Sequence, residues 1–195
     1  MPRKLLSTDE QMKKLSQVMR MAEDAAASDD IVRRIGAVTL YAGLVDFLTI
    51  QLARLVEQVI LKSQLAAGEK PKFIPSADSY FYDMRIDTRK IVNDIKKNIL
   101  PFRAASTDLA ENAEKANTLA KTLIKKTNKF LNYRIGIIHH LGSPKMTFQE
   151  LNTLCGKAIL AYKDFLRAHR AFFEAVQPYR FGEKELLYFY GTLEL

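Results

Sequence analysis

The sequence predicts an all-α protein, a helical bundle of four to five main helices joined by short loops. Three observations carry that expectation. Apolar residues recur at helical spacing along almost the whole chain. Only eight glycines and six prolines occur in 195 residues, too few for a sandwich or barrel that turns about every 8 to 12 residues. No segment of useful length alternates apolar and polar residues as a strand does, and there is no internal repeat or low-complexity tract.

The elements follow in order. Ser7 and Glu10 stand as in a capping box, ahead of a helix carrying Met12, Leu15, Met19, Ala22 and Ala26 on one face. Asp29 and Asp30 suit the start of the next helix, because negative charge is favoured at the positive end of the helix dipole. Its pattern runs to about Ala66, where Gly68 and Pro71 end it. Apolar positions crowd most of its circumference between Ile35 and Val56, which predicts a central helix. Residues 67–77 hold Gly68, Pro71 and Pro75 and read as a connection. Ser76 to Leu100 reads as one or two helices, with Ile91, Val92, Ile95 and Ile99 on one face and Pro101 as the stop. Ser106 or Thr107 caps the next helix, whose seam runs Leu109, Ala113, Ala116, Ala120, Leu123, Thr127, Phe130 and Leu131 and which stops by Gly142-Ser143-Pro144. Thr147 with Glu150 is a second capping box, opening a helix from Phe148 to about Val176. The aromatic tail after Pro178 (Tyr179, Phe181, Tyr188, Phe189, Tyr190) is expected to dock back, giving one domain over residues 1–195.

Composition narrows the class. With 48% apolar and 27% charged residues the chain is an ordinary soluble globular protein, long enough to bury about 70% of its unfolded surface. A single cysteine, Cys155, leaves no internal disulfide and no cysteine-based zinc site. The N-terminus turns polar at Ser7, too early for the apolar core of a signal peptide. The longest run without charge, Ile35 to Val45, is eleven residues, about half of a membrane-spanning helix. The expectation is a cytoplasmic protein with no membrane partner.

Charge is the first pointer to function. The net charge is +8, so an anionic partner is expected. Between Lys115 and Gln149 stand seven basic residues (Lys115, Lys121, Lys125, Lys126, Lys129, Arg134, Lys145) and no acid, which accounts for nearly the whole excess. Lys121, Lys125 and Lys129 are each four apart and so lie along one stripe of a helix. Such a stripe, with Lys126 beside it, can contact phosphates spaced along an RNA strand; the plainer alternative is a solvated helix face.

This basic segment leads into Arg134 and the pair His139-His140, two of the chain's three histidines. Arg134 continues the inward seam (127, 131, 134, 138), so its guanidinium is expected at a helix interface. His139 lies about 140° and His140 about −120° around an ideal helix from Arg134, within reach if the arginine bends or the helix loosens at Gly136. A neutral imidazole, with an ordinary pKa of about 6.5, can take the proton of a 2′-hydroxyl. A neighbouring guanidinium can stabilise the negative charge that gathers on the phosphorus oxygens. That chemistry needs no metal or cofactor, and no motif of metal-ligand spacing accompanies the histidines.

The Arg134…His139 arrangement, late in a small all-helical chain, resembles the R-x4-6-H signature of the HEPN superfamily, and the apolar helix from Val38 to Ile60 with its acidic Asp46 is similar to the early core helix of such proteins. The resemblance covers most of the chain in topology but is motif-level only between Asn132 and His140. It implies a helical homodimer, a metal-independent ribonuclease activity, and a toxin–antitoxin or defence context with an antitoxin or other protein partner. In the family the residue after the arginine is usually polar; here it is Ile135, and Asn132 is the nearest replacement. The spacing leaves either His139 or His140 as the base.

The remaining polar positions have plainer expectations. Asp46 interrupts an apolar stretch and must meet water or a cation, Arg54 and Arg134 being the candidates. His169, in Arg167-Ala-His-Arg170, reads as a surface residue, and Cys155 as a core thiol. The triplets Tyr80-Phe81-Tyr82 and Tyr188-Phe189-Tyr190 read as packing rather than base-stacking groups.

Overall fold

A computed structural model describes residues 8–66, 68 and 107–176. It contains four helices packed against one another, with no strand among the described residues: α1 (Thr8–Ala26), α2 (Ile31–Ala66), α3 (Thr107–His140) and α4 (Phe148–Val176). The expected helices at Ser76–Leu100, the Ser7–Glu10 capping box and the aromatic tail lie outside the described residues or side chains.

Local chemistry sets the ends. The Asp30 carboxylate accepts the Val32 N–H at 2.8 Å, satisfying one of the orphan donors of the first turn of α2. Past Ala66, Gly68 has φ of 70°, the left-handed conformation that ends helices and that glycine adopts without steric cost. At α4 the capping box is closed in both directions. The Thr147 N–H donates to Glu150 Oε2 at 2.8 Å, and the Glu150 N–H donates to Thr147 Oγ1 at 3.2 Å. The hydrogen bonds from Thr147 hold the Glu150 carboxyl below its ordinary pKa.

Chain contacts divide into two compact units, with α2, α3 and α4 each contributing to both. Among the described residues the first holds 8–44 and 132–160. Its core contains Met19 and Ala22 of α1, Val38, Tyr41 and Leu44 of α2, Ile137 of α3, and Leu151, Cys155 and Ile159 of α4. Burial, and secondarily the nearby Glu23, push the Tyr41 phenol up to about 12. Inside this unit Arg34 Nη1 donates to Asn152 Oδ1 at 2.6 Å. Cys155 is fully buried, and burial raises its thiol pKa against a smaller opposing pull from Arg34, as expected for a core thiol. On α2, from residue 35 to 44, the exposed positions are Gly36, Thr39 and Gly43, so one narrow side of small residues meets solvent and the rest of the circumference is apolar, as expected.

The second unit holds 45–66, 68, 107–131 and 161–176 among the described residues. Phe130 of α3 and Tyr162, Phe165, Phe172 and Phe173 of α4 form an aromatic core with Leu48, Leu123 and Leu166. Ring centroids of Phe130 and Tyr162 lie 6.0 Å apart and those of Tyr162 and Phe165 6.4 Å, in the range of favourable aromatic pairs. The buried hydroxyls of Thr49 and Thr127 are satisfied by the carbonyls one turn back, Val45 at 2.7 Å and Leu123 at 2.8 Å.

His169 overturns its surface reading: it is 1% exposed. Its Nε2 lies 3.1 Å from the Leu48 carbonyl oxygen, and its ring centroid is 5.6 Å from that of Phe165. Only the protonated nitrogen can donate there, so the neutral ring carries its hydrogen on Nε2. Burial brings its pKa down to about 4, against a smaller upward pull from that hydrogen bond. The flanking Arg167 and Arg170 are exposed, so the local charge that suggested a surface histidine belongs to the opposite side of the helix.

Candidate nucleic-acid interface

The site is built on α3, which presents two chemically different faces because its residues sort by helical angle. Ala120, Leu123, Thr127, Phe130 and Leu131 are buried, as the seam predicts. Lys121, Lys125 and Lys129 are exposed on the other side, and Lys126 sits half-buried at the edge between them. No acid lies on α3 between residues 115 and 131; the acids of this helix, Asp108, Glu111 and Glu114, all precede the stripe.

The counter-charge comes from α4. Lys126 Nζ donates to Asp164 Oδ2 at 2.8 Å, Lys129 Nζ lies 4.0 Å from the same oxygen, and Arg167 Nη1 is 3.8 Å from Oδ1. The Lys126 hydrogen bond is the main cause of the lowered Asp164 pKa, with Lys129 and Arg167 adding to it. One carboxylate thus serves three cations and leaves a local positive excess. Asp164 and Arg167 were missed in the sequence, although residues 163, 167 and 170 follow the exposed period of α4.

The Arg–His element lies in the first unit. Arg134 is half-buried between buried Leu131 and Ile137, and it makes no ion pair or hydrogen bond with another described side chain. The inward seam therefore passes through 134 and 137 rather than 138, and Ile138 is 52% exposed. The helix runs unbroken through Gly136, whose missing side chain admits Leu154: a Cβ there would stand 3.5 Å from Leu154 Cδ2. The loosening at Gly136 does not occur. His139 and His140 follow on in the unbroken helix and are both exposed in the last turn of α3. Ile135 is 40% exposed and Asn132 exposed, Asn132 being engaged in a contact of its own. Asp46, in the second unit, is half-buried and likewise has a partner.

The arrangement brings Lys126 and Lys129 together around one carboxylate, and leaves Lys121 and Lys125 free on the surface. It does not join Arg134 to either imidazole. Among the described residues no three His, Cys, Asp or Glu side chains gather as a metal site, and no helix is long and apolar enough to cross a membrane. No family model matches the chain, and neither a curated protein nor a solved structure does.

Proposed function

We propose that this protein is a HEPN-like helical homodimer that binds RNA and cleaves it without a metal or cofactor. The observation that supports this most is Arg134, a half-buried residue with no carboxylate partner among the described residues, followed by two exposed imidazoles. With no such carboxylate to hold it, that guanidinium is available to meet an incoming phosphate. In the reaction His139, or His140, takes the proton of a 2′-hydroxyl as its oxygen attacks the adjacent phosphorus. The bond from phosphorus to the 5′-oxygen breaks, leaving a 2′,3′-cyclic phosphate and, after protonation, a 5′-hydroxyl. Arg134 holds the charge that collects on the phosphoryl oxygens, and Lys121, Lys125, Lys126 and Lys129 hold the backbone. The resemblance adds an antitoxin or other protein partner that restrains the activity.

The test is cleavage of mixed RNAs by the purified chain in chelator. Arg134→Ala and the double change His139→Ala with His140→Ala are each expected to lower the rate at least about 100-fold, the usual scale of a lost acid–base group. Wild-type protein that leaves every RNA intact refutes the enzyme.

Ile135 favours a second reading. Exposed at the position after Arg134, with exposed Ile138 three residues on, it makes this surface apolar where a nuclease centre needs polar groups. In that reading the chain is a non-catalytic binding module. RNA affinity that falls with salt, shows no turnover and is unchanged by His139→Ala selects it.

A further inference from the structure

The stripe on α3 is half of a wider cationic surface. We propose that α4 supplies a second bank of phosphate contacts, Lys163 and Arg167, so that a single nucleic-acid strand lies across the seam at Asp164 instead of following α3 alone. This rests on the RNA-binding reading above and extends it to residues of another helix.

The geometry around Asp164 carries the inference. Lys126 makes the one hydrogen bond of the cluster, at 2.8 Å. Lys129 at 4.0 Å and Arg167 at 3.8 Å are too far to share it, and their side chains are 51% and 71% exposed. Both therefore attend the same carboxylate from opposite helices while keeping donors free for a ligand. A phosphodiester between them gains a charge-assisted contact from each side, and the planar guanidinium of Arg167 suits two phosphate oxygens at once. Asp164 acts as a positioning residue, keeping Lys126 folded against the seam.

The surfaces on either side continue the charge. Rotation of 100° per residue carries Lys129, Lys125 and Lys121 progressively away from the Lys126 edge, with about 6 Å of rise between successive lysines. On α4 the same rotation carries Arg167 and Lys163 away from the Asp164 edge, and both are exposed. Arg170 is withdrawn from this set because Glu174 holds its Nε at 2.8 Å. All of these residues belong to the second unit. Its acids on α4 are already engaged, Asp164 by Lys126 and Glu174 by Arg170, and the acids of α3 all precede Lys115, so the local charge over 121–129 and 163–167 is positive.

The experiment measures binding of the full chain to a labelled, unstructured 2′-O-methyl RNA, which lacks the nucleophile and so is not cut, by fluorescence anisotropy over a range of salt. The pair Lys163→Ala with Arg167→Ala is expected to weaken binding about tenfold or more at 0.1 M salt. It should also flatten the slope of log affinity against log salt by about 1.4, each phosphate contact of a single strand contributing about 0.7. Arg167→Lys should recover part of the affinity, and Arg20→Ala in the first unit should change nothing. A 2′-deoxy strand of the same sequence should bind within about threefold, since phosphates are what the track holds; a preference of more than tenfold for the ribose strand overturns it. If Lys121→Ala with Lys125→Ala weakens binding while the α4 pair leaves affinity and slope untouched, the two-helix track is wrong and the RNA-binding reading stands. If the wild-type chain binds neither strand, both fall.

Discussion

Replacing the buried histidine gives the most direct test of how the second unit is held together. His169 is enclosed by Phe165 and the Leu48 carbonyl, with its pKa brought down to about 4 from an ordinary 6.5. The folded state therefore binds fewer protons than the unfolded chain between those two values. The sign follows from that difference: stability is complete above about pH 6.5, declines as pH falls, and this contribution is fully lost below about pH 4. At 1.36 kcal/mol per pKa unit the loss is about 3 kcal/mol. His169→Gln keeps an amide N–H for Leu48 and cannot ionise. Urea unfolding of both proteins at pH 7.5, 6, 5 and 4 isolates the effect, because the lowered pKa of Asp164 and every other group is common to both. Wild type should lose about 3 kcal/mol relative to the variant across that range. Parallel curves refute the buried neutral imidazole. A complementary readout is the proton resonance missing from the variant's spectrum, which should stay at its neutral position until near pH 4.

Two further predictions concern local structure. Thr147→Ala removes the hydroxyl that accepts the Glu150 N–H and should cost about 1 kcal/mol in denaturant unfolding; no change would mean the cap is idle. In Gly156→Ala the new methyl would stand 3.1 Å from Arg34 Nη2, the far end of a flexible side chain. The 2.6 Å bond to Asn152 can lengthen without breaking, so the gain of about 1 kcal/mol from replacing a helical glycine should prevail. A net loss above about 1 kcal/mol would show that Arg34 is fixed.

What the sequence made legible was whatever repeats along a single helix. The end of α2 at Ala66, the start of α4 at Phe148 and its capping box, and the inward seam of α3 from Ala120 to Leu131 all follow from period and local chemistry. His169 shares that period with Tyr162, Phe165, Leu166, Phe172 and Phe173, all buried, yet its two arginine neighbours suggested a surface. Here spacing was the better guide than neighbouring charge. Asp164 was invisible for a different reason: its role comes from a helix 38 residues away, and no pattern within α4 announces a partner on α3. The Arg–His element shows the same limit. Arg134 sits on the expected seam, but spacing alone did not reveal that the helix stays intact at Gly136 and holds both imidazoles off to its sides.

The sealed thiol has a practical consequence. Cys155 is the chain's sole cysteine, and with no exposed surface it can meet a thiol reagent only when the first unit opens. Its labelling rate is therefore a clock for opening events in that unit, in native buffer and without any engineered probe. His169 reports the second unit through its protonation. The two native side chains together can tell whether the halves of these long helices breathe as one or separately.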